Sequence, residues 1–139
     1  MAEAPFCLAV VGCGAIANAY AAAAKATGGL ELVACVDREA TRAAAFGQAT
    51  GARAFASEHE LLQAGLRLDG VLVLTPPDTH EPIAAAWLQR GVAVLCEKPL
   101  ARSLAEAERL LAAARASGRL LMMGSKFRYT PDVAAAKQL

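Results

Sequence analysis

Two short stretches of the chain carry residue types and spacings that can do chemistry. The first is Gly12, Cys13, Gly14, Ala15, Ile16, Ala17. Gly12 lets a strand turn sharply into a helix, Gly14 has no side chain to block a pyrophosphate, and Ala17 is small enough for the helix to pack on the strand. Ala15 and Ile16 open that helix, whose free first-turn amides and dipole attract anionic oxygens without any basic side chain in the turn. The next apolar run ends in Asp37, where a dinucleotide fold needs an acid to accept hydrogen bonds from the adenosine ribose. That carboxylate repels a 2′-phosphate and favours NAD. Arg38 beside it can pair with such a phosphate, which keeps NADP open.

The second stretch is Glu97, Lys98, Pro99, two opposite charges at the carboxyl end of a predicted strand, where doubly wound sheets bind ligands. The four cysteines, Cys7, Cys13, Cys35 and Cys96, lack the paired spacing of a zinc site. They read as small reduced core residues, and no metal centre is expected. Cys13 reads as a spacer, since a phosphate at the turn would fill the space a reactive thiol needs.

These residues need a frame. Phe6 to Val11 is a short apolar run stopping at glycine, and Ala15 to Ala26 is an alanine-rich helical stretch ended by Gly28 and Gly29. Leu30 to Val36 predicts a second strand, Glu39 to Thr50 a helix, and Arg53 to Ala56 a brief strand. Ser57 with Glu60, Asp78 with Glu81, and Ser103 with Glu106 read as capping boxes opening three further helices. Val71 to Leu74, Val92 to Cys96 and Arg119 to Met123 complete the strands. Strands alternating with helices at this spacing predict an α/β, three-layer, doubly wound parallel sheet of about six strands, with helices on both faces.

Composition narrows the partners. The chain has 139 residues, 56% hydrophobic and 19% charged, with 14 basic against 13 acidic residues, enough for one domain with a large buried sheet. No basic stripe suggests nucleic acid, so a small-molecule partner is expected. No residue from Ala4 to Ala24 is charged, a run nearly long enough for a bilayer. Gly12, Gly14 and Asn18 interrupt it, and Glu3 stands where a signal peptide would be basic, so a cytoplasmic protein without a membrane segment is expected.

The turn at Gly12, the stretch Thr75, Pro76, Pro77, Asp78, Thr79, His80 and the triplet Glu97, Lys98, Pro99 together resemble the Gfo/Idh/MocA oxidoreductase family, over essentially the whole chain. The resemblance implies a Rossmann-type NAD(P)-binding domain over residues 1–125 and, over 126–139, the start of a crossing into a second, substrate-holding domain that this chain does not contain. It gives Glu97 a cofactor ribose contact and Lys98 a place at the reacting carbon. A lysine there makes chemical sense, because its ammonium can hydrogen-bond a substrate hydroxyl or carbonyl and stabilise charge that develops as hydride moves. Thr75 and Pro76 would line the nucleotide. His80 joins them as a cofactor-site candidate, with packing or capping at the helix start as its stronger reading. Pro77 stands where the family often has asparagine, and Phe127 where it often has an arginine, so Arg128 alone carries over as a cofactor or substrate contact.

The function implied is hydride transfer between NAD or NADP and a sugar or cyclitol hydroxyl or carbonyl. The chain alone is expected to bind cofactor without efficient turnover, since hydride transfer needs substrate held with water excluded. A catalytically silent dinucleotide-binding or interaction module is the alternative. A methyltransferase using S-adenosylmethionine shares the glycine turn and the acid, but the Glu97 triplet argues against it. An exposed sheet edge near Leu120 to Met123 would favour a homo-oligomer.

Overall fold

The computed structural model describes residues 4–138. Glu3 and Leu139 lie outside them. The elements alternate: β1 (Phe6–Val11), α1 (Ala15–Thr27), β2 (Leu30–Val36), α2 (Ala40–Thr50), β3 (Arg53–Phe55), α3 (Glu58–Gln63), β4 (Gly70–Val73), α4 (His80–Gln89), β5 (Ala93–Glu97), α5 (Leu104–Ser117), β6 (Leu121–Gly124) and α6 (Pro131–Ala136). One six-stranded sheet has the order β3-β2-β1-β4-β5-β6, and every neighbouring pair is parallel. This is the doubly wound Rossmann arrangement expected. The uncharged run from Ala4 to Ala24 is divided between β1, the turn and α1, and no described helix is long and apolar enough to cross a membrane.

Strand alternation explains the layers. Leu8 and Val10 of β1 join Cys35, Leu72 and Leu74 in one cluster, with Ala17 of α1 and Phe46 of α2 packed on them. Ala9 and Val11, one residue out of phase, join Val71, Val73, Val94 and Cys96 against Leu61 of α3, Trp87 and Leu88 of α4, and Leu110 of α5. The winding of the chain thus puts α1 and α2 on one face and α3 to α5 on the other. Trp87 is a core residue whose indole N–H donates to the Glu58 carboxylate at 2.5 Å.

Two caps form as the sequence signals. Ser57 Oγ and Ser103 Oγ each accept from the backbone N–H of the glutamate three residues on, at 3.2 Å. Each glutamate reaches back past the cap to the preceding amide, Ala56 at 3.0 Å and Arg102 at 2.9 Å.

The third predicted cap does not form. Pro77–Thr79 is a 3₁₀ turn, α4 begins at His80, and no side chain caps it. Thr79 Oγ1 instead donates to the Pro76 carbonyl at 2.8 Å and lies 2.8 Å from the Thr75 hydroxyl, so the turn is knitted back toward the end of β4. Beyond β6, Lys126–Tyr129 forms another 3₁₀ turn before α6.

Candidate functional site

The strand register sets the site. Val11 pairs with Val36 on one side and Val73 on the other, Val73 with Cys96, and Glu97 with Gly124. The strands therefore stop nearly level, and the residues just past or at their ends form one row: Asp37 after β2, Gly12 after β1, Thr75 beyond β4, Glu97 closing β5, Gly124 closing β6. Four inter-strand steps of about 4.8 Å make that row about 19 Å long. The chain reverses its direction of winding between β1 and β4, so the row crosses the topological switch point, where open α/β sheets bind ligands.

Gly12 sits at the switch. Its φ of +97° is unfavourable for a side chain, and a Cβ there would stand 2.8 Å from the Leu74 carbonyl carbon and 2.9 Å from Thr75 N. The turn is thus pressed against the backbone beyond β4, and hydrogen bonds from Gly12 N to Val36 O and from Leu74 N to Val11 O, both 2.8 Å, lock it there.

Gly14, the N-cap of α1, is the opposite case: a Cβ there would meet nothing within 4 Å. No side chain caps the helix and its first turn holds no acid, so no carboxylate competes for its amides. Ala15 and Ile16 are exposed beside this opening. Open space at Gly14 in front of a 13-residue helix suits the anionic backbone of a dinucleotide.

Asp37 is buried. Its Oδ2 accepts from Cys13 N at 2.9 Å and its Oδ1 from Glu39 N at 2.8 Å, so the acid also holds the phosphate turn to the end of β2. Each oxygen keeps lone-pair capacity for a ribose hydroxyl. Arg38 is exposed, and the guanidinium beside the acid belongs to Arg42, 3.9 Å from Oδ1. Sequence reasoning missed Arg42, which stands five residues past the acid and is brought back by the first turn of α2.

His80, expected chiefly to pack or cap at the helix start and secondarily to touch cofactor, is turned inward. The side chain is 1% exposed, its Nδ1 lies 2.7 Å from the Pro99 carbonyl oxygen, and its Nε2 lies 2.7 Å from that of Thr75. Both ring nitrogens are spent on the backbone. His80 clamps the segment beyond β4 to the segment beyond β5, and so sets Thr75 and Pro76 relative to Glu97 and Lys98.

The bond between Lys98 and Pro99 is cis. Lys98 is exposed, whereas Glu97 is half-buried, with Oε2 accepting from Lys98 N at 2.7 Å and Oε1 accepting from the Tyr20 hydroxyl at 2.9 Å. Glu97 and Lys98 are joined through carboxylate and backbone, and no side-chain ion pair links them among the described residues. The Lys98 ammonium is exposed and carries no ion pair among the described residues. Arg128 is exposed on the 3₁₀ turn after β6.

The cysteines are all free. Hydrogen bonding with Cys35 and burial push the Cys13 thiol up, so it stays protonated in the turn. No cluster of three or more metal-ligating side chains exists among the described residues.

The family model described as "Oxidoreductase family, NAD-binding Rossmann fold", that of Gfo/Idh/MocA proteins, matches residues 6–125. A D-apiose dehydrogenase of Paraburkholderia graminis is 32% identical over 127 residues, covering 91% of this chain and 34% of that protein. An inositol 2-dehydrogenase of Rubrobacter xylanophilus is 34% identical over 111 residues, covering 79% of this chain and 32% of its own. The chain thus spans about a third of the length of these curated relatives. Among solved structures, the WlbA dehydrogenase of Chromobacterium violaceum with NADH and UDP-GlcNAcA superposes with a TM-score of 0.92 at 27% identity, covering 99% of this chain and 40% of that one. GenD2 from gentamicin A biosynthesis, in complex with NAD, gives 0.90 at 35% identity, covering 96% and 38%. A 3-ketoreductase of Actinomadura kijaniata with NADP and TDP-benzene gives 0.87 at 32%, covering 96% and 41%.

Proposed function

Because this chain belongs to the Gfo/Idh/MocA oxidoreductase family, as its NAD-binding Rossmann domain, we propose that it binds a nicotinamide dinucleotide along the row from Asp37 to Glu97. The enzyme it serves would act on a sugar or cyclitol hydroxyl or carbonyl. One observation supports the reading: a ribose-type acid after β2, an open helix N-terminus after β1 and the Glu97–Lys98 pair at the end of β5, with β4 between the last two, follow one another along the sheet in the order in which a dinucleotide presents ribose, phosphates and reactive ring.

Each residue has a task in that order. Asp37 accepts hydrogen bonds from the adenosine ribose hydroxyls. The turn from Gly12 to Ile16 lets backbone amides meet the pyrophosphate. Thr75 and Pro76 flank the middle of the molecule. Glu97 accepts from the second ribose, Arg128 stands past β6 toward the same end, and Lys98 reaches the reacting centre from the exposed side of the strand end. When bound, the nicotinamide supplies the hydride acceptor or donor. Lys98 holds a proton at Nζ, hydrogen-bonds the substrate oxygen and stabilises negative charge that grows on it. Enclosing the substrate and excluding water fall to the second domain the family resemblance implies.

Asp37 favours NAD, while Arg42 beside it offers a cation to a 2′-phosphate, so NADP is the weaker cofactor of the two. Calorimetric titration with NAD, NADP and S-adenosylmethionine tests the reading. NAD should bind best. Binding of S-adenosylmethionine alone would overturn it.

A further inference from the structure

Tyr20 lies in the second turn of α1, the helix that begins at the phosphate turn. Its hydroxyl donates to Glu97 Oε1 at 2.9 Å across 77 positions of sequence, and its ring packs at the border of the cluster that includes Leu95. The third side of this contact is built from an absence. Gly124 is the register partner of Glu97 on β6, and a Cβ there would run into the Tyr20 hydroxyl and come within 3.5 Å of Glu97 Oε1. Three elements, α1, β5 and β6, therefore converge on one carboxylate. Burial, then the hydrogen bond to Glu97, push the Tyr20 phenol above its ordinary range, so it remains a donor at any working pH.

We propose that Tyr20 is a positioning residue for Glu97, holding one carboxylate oxygen so that the other lone pairs face the ribose next to the reactive ring. The inference rests on the cofactor reading above and goes beyond it. A free glutamate at a strand end samples several rotamers, and ordering it on binding costs affinity. With Oε2 on Lys98 N and Oε1 on Tyr20, the carboxylate is ordered before ligand arrives. The same helix then serves both ends of the dinucleotide: its N-terminus faces the phosphates and its second turn sets the acid two strands away.

The test compares NAD with ADP, which lacks the nicotinamide riboside, by calorimetry on wild type and Tyr20→Phe. Tyr20→Phe should weaken NAD about five- to ten-fold, the scale of one hydrogen bond to a charged group. ADP should bind within two-fold of wild type. Gly124→Ala, which pushes the hydroxyl away from β6, should reproduce this split and serves if Tyr20→Phe melts early. Equal weakening of both ligands, or no change in either, would overturn the positioning role. Wild type failing to bind NAD is a separate result, which removes the cofactor reading and the inference with it.

Discussion

Gly12 and Gly14 stand two residues apart, and the structure demands opposite outcomes when each becomes alanine. At Gly12 the new Cβ must take a φ of +97° and sit 2.8 Å from the Leu74 carbonyl carbon, a backbone atom that cannot swing aside. The backbone conformation costs roughly 1–3 kcal/mol and the overlap roughly another 1–3. Against about 5–15 kcal/mol of total stability, Gly12→Ala should remain folded with a Tm lowered by roughly 10–20 °C. At Gly14 the φ is −75° and nothing lies within 4 Å, so Gly14→Ala should melt within a few degrees of wild type. Its methyl group, however, projects into the opening in front of α1. NAD affinity should fall about ten-fold or more, a loss of about 1.4 kcal/mol or greater. Thermal unfolding followed by circular dichroism and calorimetric titration of the same two proteins measure both quantities. Wild-type melting of Gly12→Ala would refute the close approach of the turn to Leu74, and wild-type NAD binding by Gly14→Ala would refute the placing of phosphate there.

Replacing His80 by alanine removes a buried ring and leaves two part-buried carbonyl oxygens without it, so Tm should drop by the equivalent of about 3 kcal/mol, and NAD affinity should weaken through movement of Thr75 and Glu97. ADP binding, measured alongside, should suffer less. Burial and then the Glu97 charge push the Cys96 thiol up to about 12. A thiol reagent at pH 8, mapped by mass spectrometry, should therefore label half-buried Cys7 first and spare Cys96 until the protein unfolds. The Cys7 amide, and then Arg67, hold the Asp69 carboxyl below the usual range. Its folded-state value is depressed, so its stabilisation is present above the unfolded value and is lost as pH falls through the folded one. Melting curves taken on acidification should show this loss, and Asp69→Asn should flatten it.

What was legible in the sequence was what local chemistry decides. Ser57 and Ser103 cap because the partner amide is three residues away and nothing competes. Gly12 ends β1 because an apolar run meets a residue that can turn at positive φ. The same reasoning failed at Asp78, whose spacing to Glu81 resembles the other boxes, because the turn there is decided by Thr79 reaching back to Pro76 and Thr75. His80 illustrates a second limit. The family resemblance made it a cofactor-site candidate and its place at a helix start favoured packing or capping, but its partner, Pro99, lies 19 residues on, in a contact that exists only once β4 and β5 lie side by side. Arg42 and Tyr20 escaped notice for that reason too: their partners are fixed by the first turn of α2 and by the crossing of α1 over the sheet, and neither leaves a local pattern.

The level ending of the strands bears on which changes the domain can absorb over evolutionary time or in the hands of an engineer. The spacing from Asp37 to Glu97 is set first by the nearly level strand ends, and the Asp37 and His80 side chains tie together the segments just beyond them. Apolar exchanges inside a strand leave that spacing alone. One residue added to β4 would displace Thr75 by about 3.3 Å and turn every following side chain to the opposite face. Length can vary freely at the other rim, in turns such as Gly28–Gly29 or Gly65, which lie at the far end of the strands from the row of Asp37, Gly12, Thr75 and Glu97. Insertions and deletions in related chains should therefore gather at that rim and avoid the one where chemistry is placed.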